Sequence, residues 1–168
     1  WLLCVGYSTS AGGLMAFYPL LARRLGMASY SISLAVFSMM AARTAAFYLL
    51  ARAELPAELG LPLLAAPALA PLTSDPLAHA ALAAAAGAGQ GFAYSAALGA
   101  VFREGGAYTS IFEASIGLGY SVGPLLGACA NLAGVEPLAA SAAAAVAICT
   151  VPLAGRTRVR LKDLLVRR

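Results

Sequence analysis

Charge is scarce in this chain. Asp, Glu, Lys and Arg make up 11% of its 168 residues, where a soluble domain carries about a quarter. That deficit excludes an ordinary water-exposed surface over most of the molecule. Histidine occurs once, as His79, and no histidine, cysteine or carboxylate cluster has metal-ligand spacing. No metal and no cofactor are therefore expected. There are three cysteines, Cys4, Cys129 and Cys149, each inside an apolar run. They read as buried free thiols behaving as small hydrophobes, without a disulfide framework. No amino-terminal targeting segment is visible and the first residue is Trp1 rather than Met, so the chain is expected to be a piece of a longer protein.

What remains is apolar. The chain is 61% hydrophobic with a mean hydropathy of +0.83, which predicts an all-α, polytopic membrane protein with the lipid bilayer as its main partner. Six apolar segments are expected as transmembrane helices of one bundle, at about 1–21, 29–52, 56–73, 77–102, 108–131 and 137–154. A basic tail follows at 155–168. The net charge of +4 comes largely from that tail, so it speaks of topology rather than of a nucleic-acid partner. With the carboxy terminus inside, the cytoplasmic turns hold Arg52, Arg103 and six basic tail residues, and the opposite side holds Arg23 and Arg24. The positive-inside rule thus predicts a multi-pass plasma (inner) membrane protein with a cytoplasmic tail and Trp1 on the same side.

The stretch Phe112–Gly127, FEASIGLGYSVGPLLG, organises the rest. Gly119, Gly123 and Gly127 fall at i, i+4 and i+8 and form a smooth stripe that lets a second helix approach closely. Pro124 removes the hydrogen bond to the Tyr120 carbonyl and favours a kink. Glu113 is a carboxylate near the start of the same segment, where an unpaired charge is costly. In the fourth segment Gly87 and Gly91 are one turn apart, as are Gln90 and Tyr94. A glutamine mid-helix needs partners, in a neighbouring helix or in a solute. In the first segment Tyr7, Ala11, Leu14 and Tyr18 share a face, with Ser10 three residues after Tyr7. These hydroxyls read either as helix-packing groups or as a cavity wall.

Arg43 in the second segment lies about nine residues from Arg52, roughly 13 Å at the helical rise. An arginine at that depth has a partner, faces water or snorkels. Glu113 is expected at a similar depth, so Arg43 and Glu113 are expected to form a gate or an ion pair. The third segment is wholly apolar, contains Pro62, Pro67 and Pro71, and offers no candidate chemistry; Thr73-Ser74-Asp75-Pro76 after it is a turn signal. His79 reads as an interfacial or helix-bonded imidazole. Polarity is confined to segments one, two, four and five, and that order suggests a 3+3 arrangement, a feature of secondary transporters.

Enzymatic patterns are weak by comparison. Gly119-Tyr120-Ser121-Val122-Gly123 matches a hydrolase nucleophile elbow in spelling. That motif works on a sharp strand-to-helix turn beside a histidine and an acid, whereas here it lies inside an apolar run. Gly87-Ala88-Gly89-Gln90-Gly91 lacks the spacing of a dinucleotide fingerprint. Catalysis is not expected.

The run GQGFAYSAALGAVFREGGAYTSIFEASIGLGYSVGPLLG resembles the tenth and eleventh transmembrane helices of the major facilitator superfamily. FYPLLARRLGMA is similar to the end of the seventh helix and ARTAAFYLLAR to the eighth. The resemblance covers the whole chain as a carboxy-terminal half, helices seven to twelve, and is specific in helices ten and eleven. Ala128 stands where the family has a second glycine, and the loop after the second segment lacks the family's acidic-basic signature. The resemblance implies a two-bundle secondary transporter that moves a small solute by alternating access, with a six-helix amino-terminal half as partner. It implies a substrate cavity, for which Tyr7, Ser10, Gln90, Tyr94 and Tyr120 are the candidates. It also implies helix packing through Gly87, Gly91, Gly119, Gly123, Pro124 and Gly127. The alternative is a non-transporting six-helix membrane protein that assembles through its glycine-rich faces.

Overall fold

Long alanine-rich and leucine-rich runs with few β-branched residues favour helix, and helix is what forms. The computed structural model describes the backbone of residues 1–50, 57–103 and 108–166, with side chains for all of these except 57, 103 and 155–166. The loops holding Arg52 and Glu54 and holding Glu104 to Gly106, and the side chains of Arg103 and the basic tail, lie outside the described residues. Six α-helices are present and no strand occurs among the described residues: α1 (Leu2–Arg24), α2 (Ser29–Leu50), α3 (Leu61–Ala65), α4 (Pro76–Arg103), α5 (Thr109–Leu132) and α6 (Pro137–Val166). Among the described residues two stretches, Ser29–Leu50 and Pro137–Ala154, are by themselves long and apolar enough to cross a membrane, with mean hydropathies of 1.5 and 1.8.

Two elements differ from expectation. Segment 56–73 is not one regular helix: α3 spans one turn and a half between 3-10 stretches at Ala57–Gly60 and Ala66–Leu72. Pro67 and Pro71 cannot donate to the carbonyls of Leu63 and Pro67, so the α-helical ladder stops and the tighter 3-10 turn takes over. The last helix does not end at 154 but runs on to Val166, carrying the backbone of the basic stretch with it.

The helix starts have identifiable caps. Asp75 accepts from the backbone N–H groups of Leu77 and Ala78 at 3.1 and 3.2 Å, and Thr73 Oγ1 accepts from the Asp75 N–H at 3.1 Å. Glu136 accepts from the N–H of Ala139 at 2.7 Å at the start of α6. Both carboxylates satisfy donors that a helix leaves open and sit favourably on its dipole.

Packing is pairwise and ordered. Helix α2 packs most extensively on α4, and α1 on α5; α1 also lies against α6 and α4, and the α3 segment bridges α4 and α6. Helix α1 is the central one, with every residue from Gly6 to Leu14 buried. Its hydroxyls at Ser8 and Thr9 bond back to the carbonyls of Cys4 and Val5, which lets polar side chains sit in a dry interior. Trp1 meets Tyr108 edge-to-face at 6.0 Å, so α1 and α5 begin at the same end of the bundle.

Small residues set the helix separations. A Cβ at Gly119, Gly123 or Gly127 would strike Val5 and Ser8, Thr9, or the Phe17 ring respectively, all on α1. One at Gly87 would strike the Met39 carbonyl, and one at Gly91 would lie 2.7 Å from the Ala46 Cβ and 2.8 Å from the Arg43 carbonyl, all on α2. Pro124 sits inside α5, which continues through it. The Tyr120 carbonyl that Pro124 leaves without its helical donor faces Gly12 of α1, where an added Cβ would come within 2.8 Å of it. Cys4 and Cys149 are buried, but Cys129 is exposed, which corrects the expectation of three buried thiols. It falls two residues after Gly127, off the glycine face that turns toward α1.

Candidate functional site

The close α1–α5 and α2–α4 contacts leave a gap between the two pairs. Tyr7 from α1, Arg43, Thr44 and Phe47 from α2, Tyr94 from α4, and Ile116 and Tyr120 from α5 line a cavity of about 400 Å³. Each pair of one helix contributes residues spaced one turn apart: Arg43 with Phe47, and Ile116 with Tyr120. Among the described residues none of α3 or α6 takes part in this wall.

The rings form a connected cluster. Tyr94 meets Tyr7 at 5.5 Å with planes at 89°, and meets Phe47 at 5.4 Å and 65°. Behind them Phe112 holds Tyr94 from the core at 5.6 Å. Edge-to-face geometry of this kind fixes each ring through its neighbour's quadrupole. The Tyr7 ring is buried, Tyr94 and Phe47 are half-buried, and Tyr120 is exposed toward the cavity mouth.

Among the described residues Arg43 is the one charged side chain of the wall. It donates from a terminal guanidinium nitrogen to Tyr120 Oη at 3.3 Å. The expected pair with Glu113 is not formed: Glu113 is exposed, and no ion pair of Arg43 is found among the described residues. Phe112, next in sequence, takes the buried side of α5 at this level, while Glu113 is exposed on the helix face that also carries Ile116 and Tyr120.

Ser10 and Gln90, expected on the cavity wall, lie instead in the packed interior. Both are buried, and the Gln90 amide donates to Ser10 Oγ at 3.3 Å and approaches Met39 Sδ at 3.7 Å. The glycines flanking Gln90 explain the difference. Gly87 and Gly91 draw α2 onto this face of α4, so Met39 covers the amide. Gln90 Oε1 is left without a partner. Tyr18, on the face of Tyr7, lies at the far end of α1 beside His79, with ring centroids 5.5 Å apart. His79 is buried, and its Nε2 bonds the Thr73 carbonyl at 2.8 Å. Ser121, centre of the elbow-like spelling, is inside α5 and donates to the Gly117 carbonyl at 3.1 Å.

Thr44, Phe47 and Ile116 were not singled out in the sequence. Phe47 and Ile116 carried a signal, each one helical turn from a residue that was. Among the described residues no group of three or more histidines, cysteines and carboxylates is placed to hold a metal ion. Comparison with protein-family models, with curated proteins and with solved structures gives no match.

Proposed function

We propose that this chain is the carboxy-terminal half of a secondary transporter of the major facilitator type, moving a small solute by alternating access with an amino-terminal six-helix partner. The observation that carries the reading is the wall of the 400 Å³ cavity, drawn, among the described residues, from α1, α2, α4 and α5 and from neither α3 nor α6. That is the division expected of a half-transporter whose third and sixth helices face lipid.

Two further features support it. Exchanging the first three segments with the last three turns the α1–α5 pair into α4–α2, and α1–α6 into α4–α3; all four packings occur. A 3+3 repeat produces that relation. The outer surface is also unsuited to water: Phe37, Tyr48 and Leu49 on α2 are 70%, 66% and 68% exposed, and Leu118 and Leu125 on α5 more than half. A soluble monomer rarely leaves such a surface open, whereas lipid and a second half would cover it.

Assembly through glycine faces, the alternative, has less to work with. The stripe of α5 is filled by α1, and that of α4 by α2, within the chain. The reading frame upstream of Trp1 tests the proposal at once. A second block of six apolar segments is expected there, and a soluble domain in its place would contradict it.

A further inference from the structure

The cavity wall states a substrate chemistry, and this inference rests on the transporter reading above. We propose that the cavity binds a small organic monoanion with a planar apolar body, its carboxylate on Arg43 and its body among the rings of Tyr7, Phe47 and Tyr94.

Arg43 sets the charge. A guanidinium has five N–H donors in a planar fork, and only the bond to Tyr120 engages it among the described residues. A charge in an apolar wall with most of its donors open is costly unless something occupies them. Among the described residues no carboxylate lines the wall, and Glu113, one turn before Ile116 on the same face of α5, is exposed and makes no ion pair with Arg43. The geometry that satisfies such a fork is a bidentate carboxylate.

The rings set the body. Tyr7, Phe47, Tyr94 and Tyr120 supply four aromatic surfaces, and Ile116 an aliphatic one. An aromatic box alone would suit a cation over its ring faces. Here Arg43 is part of the same wall and repels one, so the rings are left to stack on a neutral planar group. At about 400 Å³ the space falls in the range of small-molecule sites and takes a single ring with room to spare. Thr44 adds a hydroxyl to the wall.

Three probes of one shape separate charge from bulk: benzoate, neutral benzamide and cationic benzylammonium. The protein expressed from its complete reading frame, in lipid nanodiscs, is titrated with each by calorimetry. Benzoate is expected to bind at least about tenfold more tightly than benzamide, the scale of a charge-assisted contact, and benzylammonium not to bind. Arg43→Gln is expected to reduce benzoate to the benzamide level, with an unchanged gel-filtration profile showing that the variant is folded. Arg43→Lys, which keeps the charge and loses the fork, should fall between. Equal binding of benzoate and benzamide, no benzoate binding, or an Arg43→Gln variant that keeps benzoate affinity overturns the proposal. Flux in proteoliposomes distinguishes the two levels. Benzoate binding without flux of any probe keeps the anion site and removes the transporter reading; benzylammonium flux without benzoate binding does the reverse.

Discussion

Arg43 shows how one side chain can take a partner other than the one its depth suggests. A charge of roughly that depth was expected to find Glu113, the nearest acid by helical arithmetic. Depth along the helix is readable from residue numbers only to within a turn or two. The glycine stripe turns toward α1 and Phe112 goes inward with it, whereas Glu113 and Tyr120, seven residues apart, share the neighbouring face, and the guanidinium meets Tyr120 Oη rather than the carboxylate. A double-mutant cycle on thermal unfolding reads this directly. The losses from Arg43→Gln and Tyr120→Phe are expected to fall short of additivity by roughly 0.5–1 kcal/mol, as for partners in one hydrogen bond. Arg43→Gln and Glu113→Gln should instead add to within about 0.5 kcal/mol. Strong coupling in the second cycle would restore the acidic partner. Gln90 teaches the same lesson: its need for a partner is legible in the sequence, but that the partner is Ser10 behind Met39, rather than a solute, follows from how closely α2 is drawn in.

At the scale of elements, glycine spacing is the feature that sequence reports best and still incompletely. The i, i+4, i+8 pattern of Gly119, Gly123 and Gly127 marks one face of α5, while nothing in the spacing says that the helix against it is α1. Gly117 lies on the same helix with nothing within 4 Å of an added Cβ, whereas a Cβ at Gly123 would drive into the Thr9 carbonyl and lie 2.8 Å from the Gly13 nitrogen. Alanine at the two positions should therefore have opposite signs. Gly117→Ala is expected to stabilise by up to about 1 kcal/mol through helix propensity. Gly123→Ala should cost roughly 1–3 kcal/mol by overpacking, and Gly123→Leu should leave little folded protein. Equal effects of the two alanines on unfolding would mean that α5 does not pack on α1 through this stripe. Helix starts were legible after the turn signal at Thr73 to Pro76 and at Pro137, where α4 and α6 begin. They were not legible in segment 56–73, where three prolines divide one apolar run into short helical pieces that hydrophobicity alone merges.

At the scale of the whole molecule, the all-α class was legible in the composition, and the helices that line the cavity are those whose segments carry polar residues. The contents of the site were only partly legible, because a wall is defined by what four helices leave open. Tyr7, Tyr94, Tyr120 and Arg43 are on it; Ser10 and Gln90, equally polar in sequence, are not. The proposed transporter requires a water-filled cavity inside a lipid-facing bundle. Single cysteines in a background lacking Cys4, Cys129 and Cys149, treated in native membranes with a membrane-impermeant thiol reagent, test that claim most directly. Thr44 and Tyr120 represent the cavity, Gln90 the packed interior, and Phe37 and Ala147 the apolar exterior, both of which are exposed in the isolated chain. The account predicts labelling at 44 and 120 and protection at 90, 37 and 147. Labelling at 37 and 147 with protection at 44 and 120 would contradict it, because it would put water outside the bundle and close the cavity.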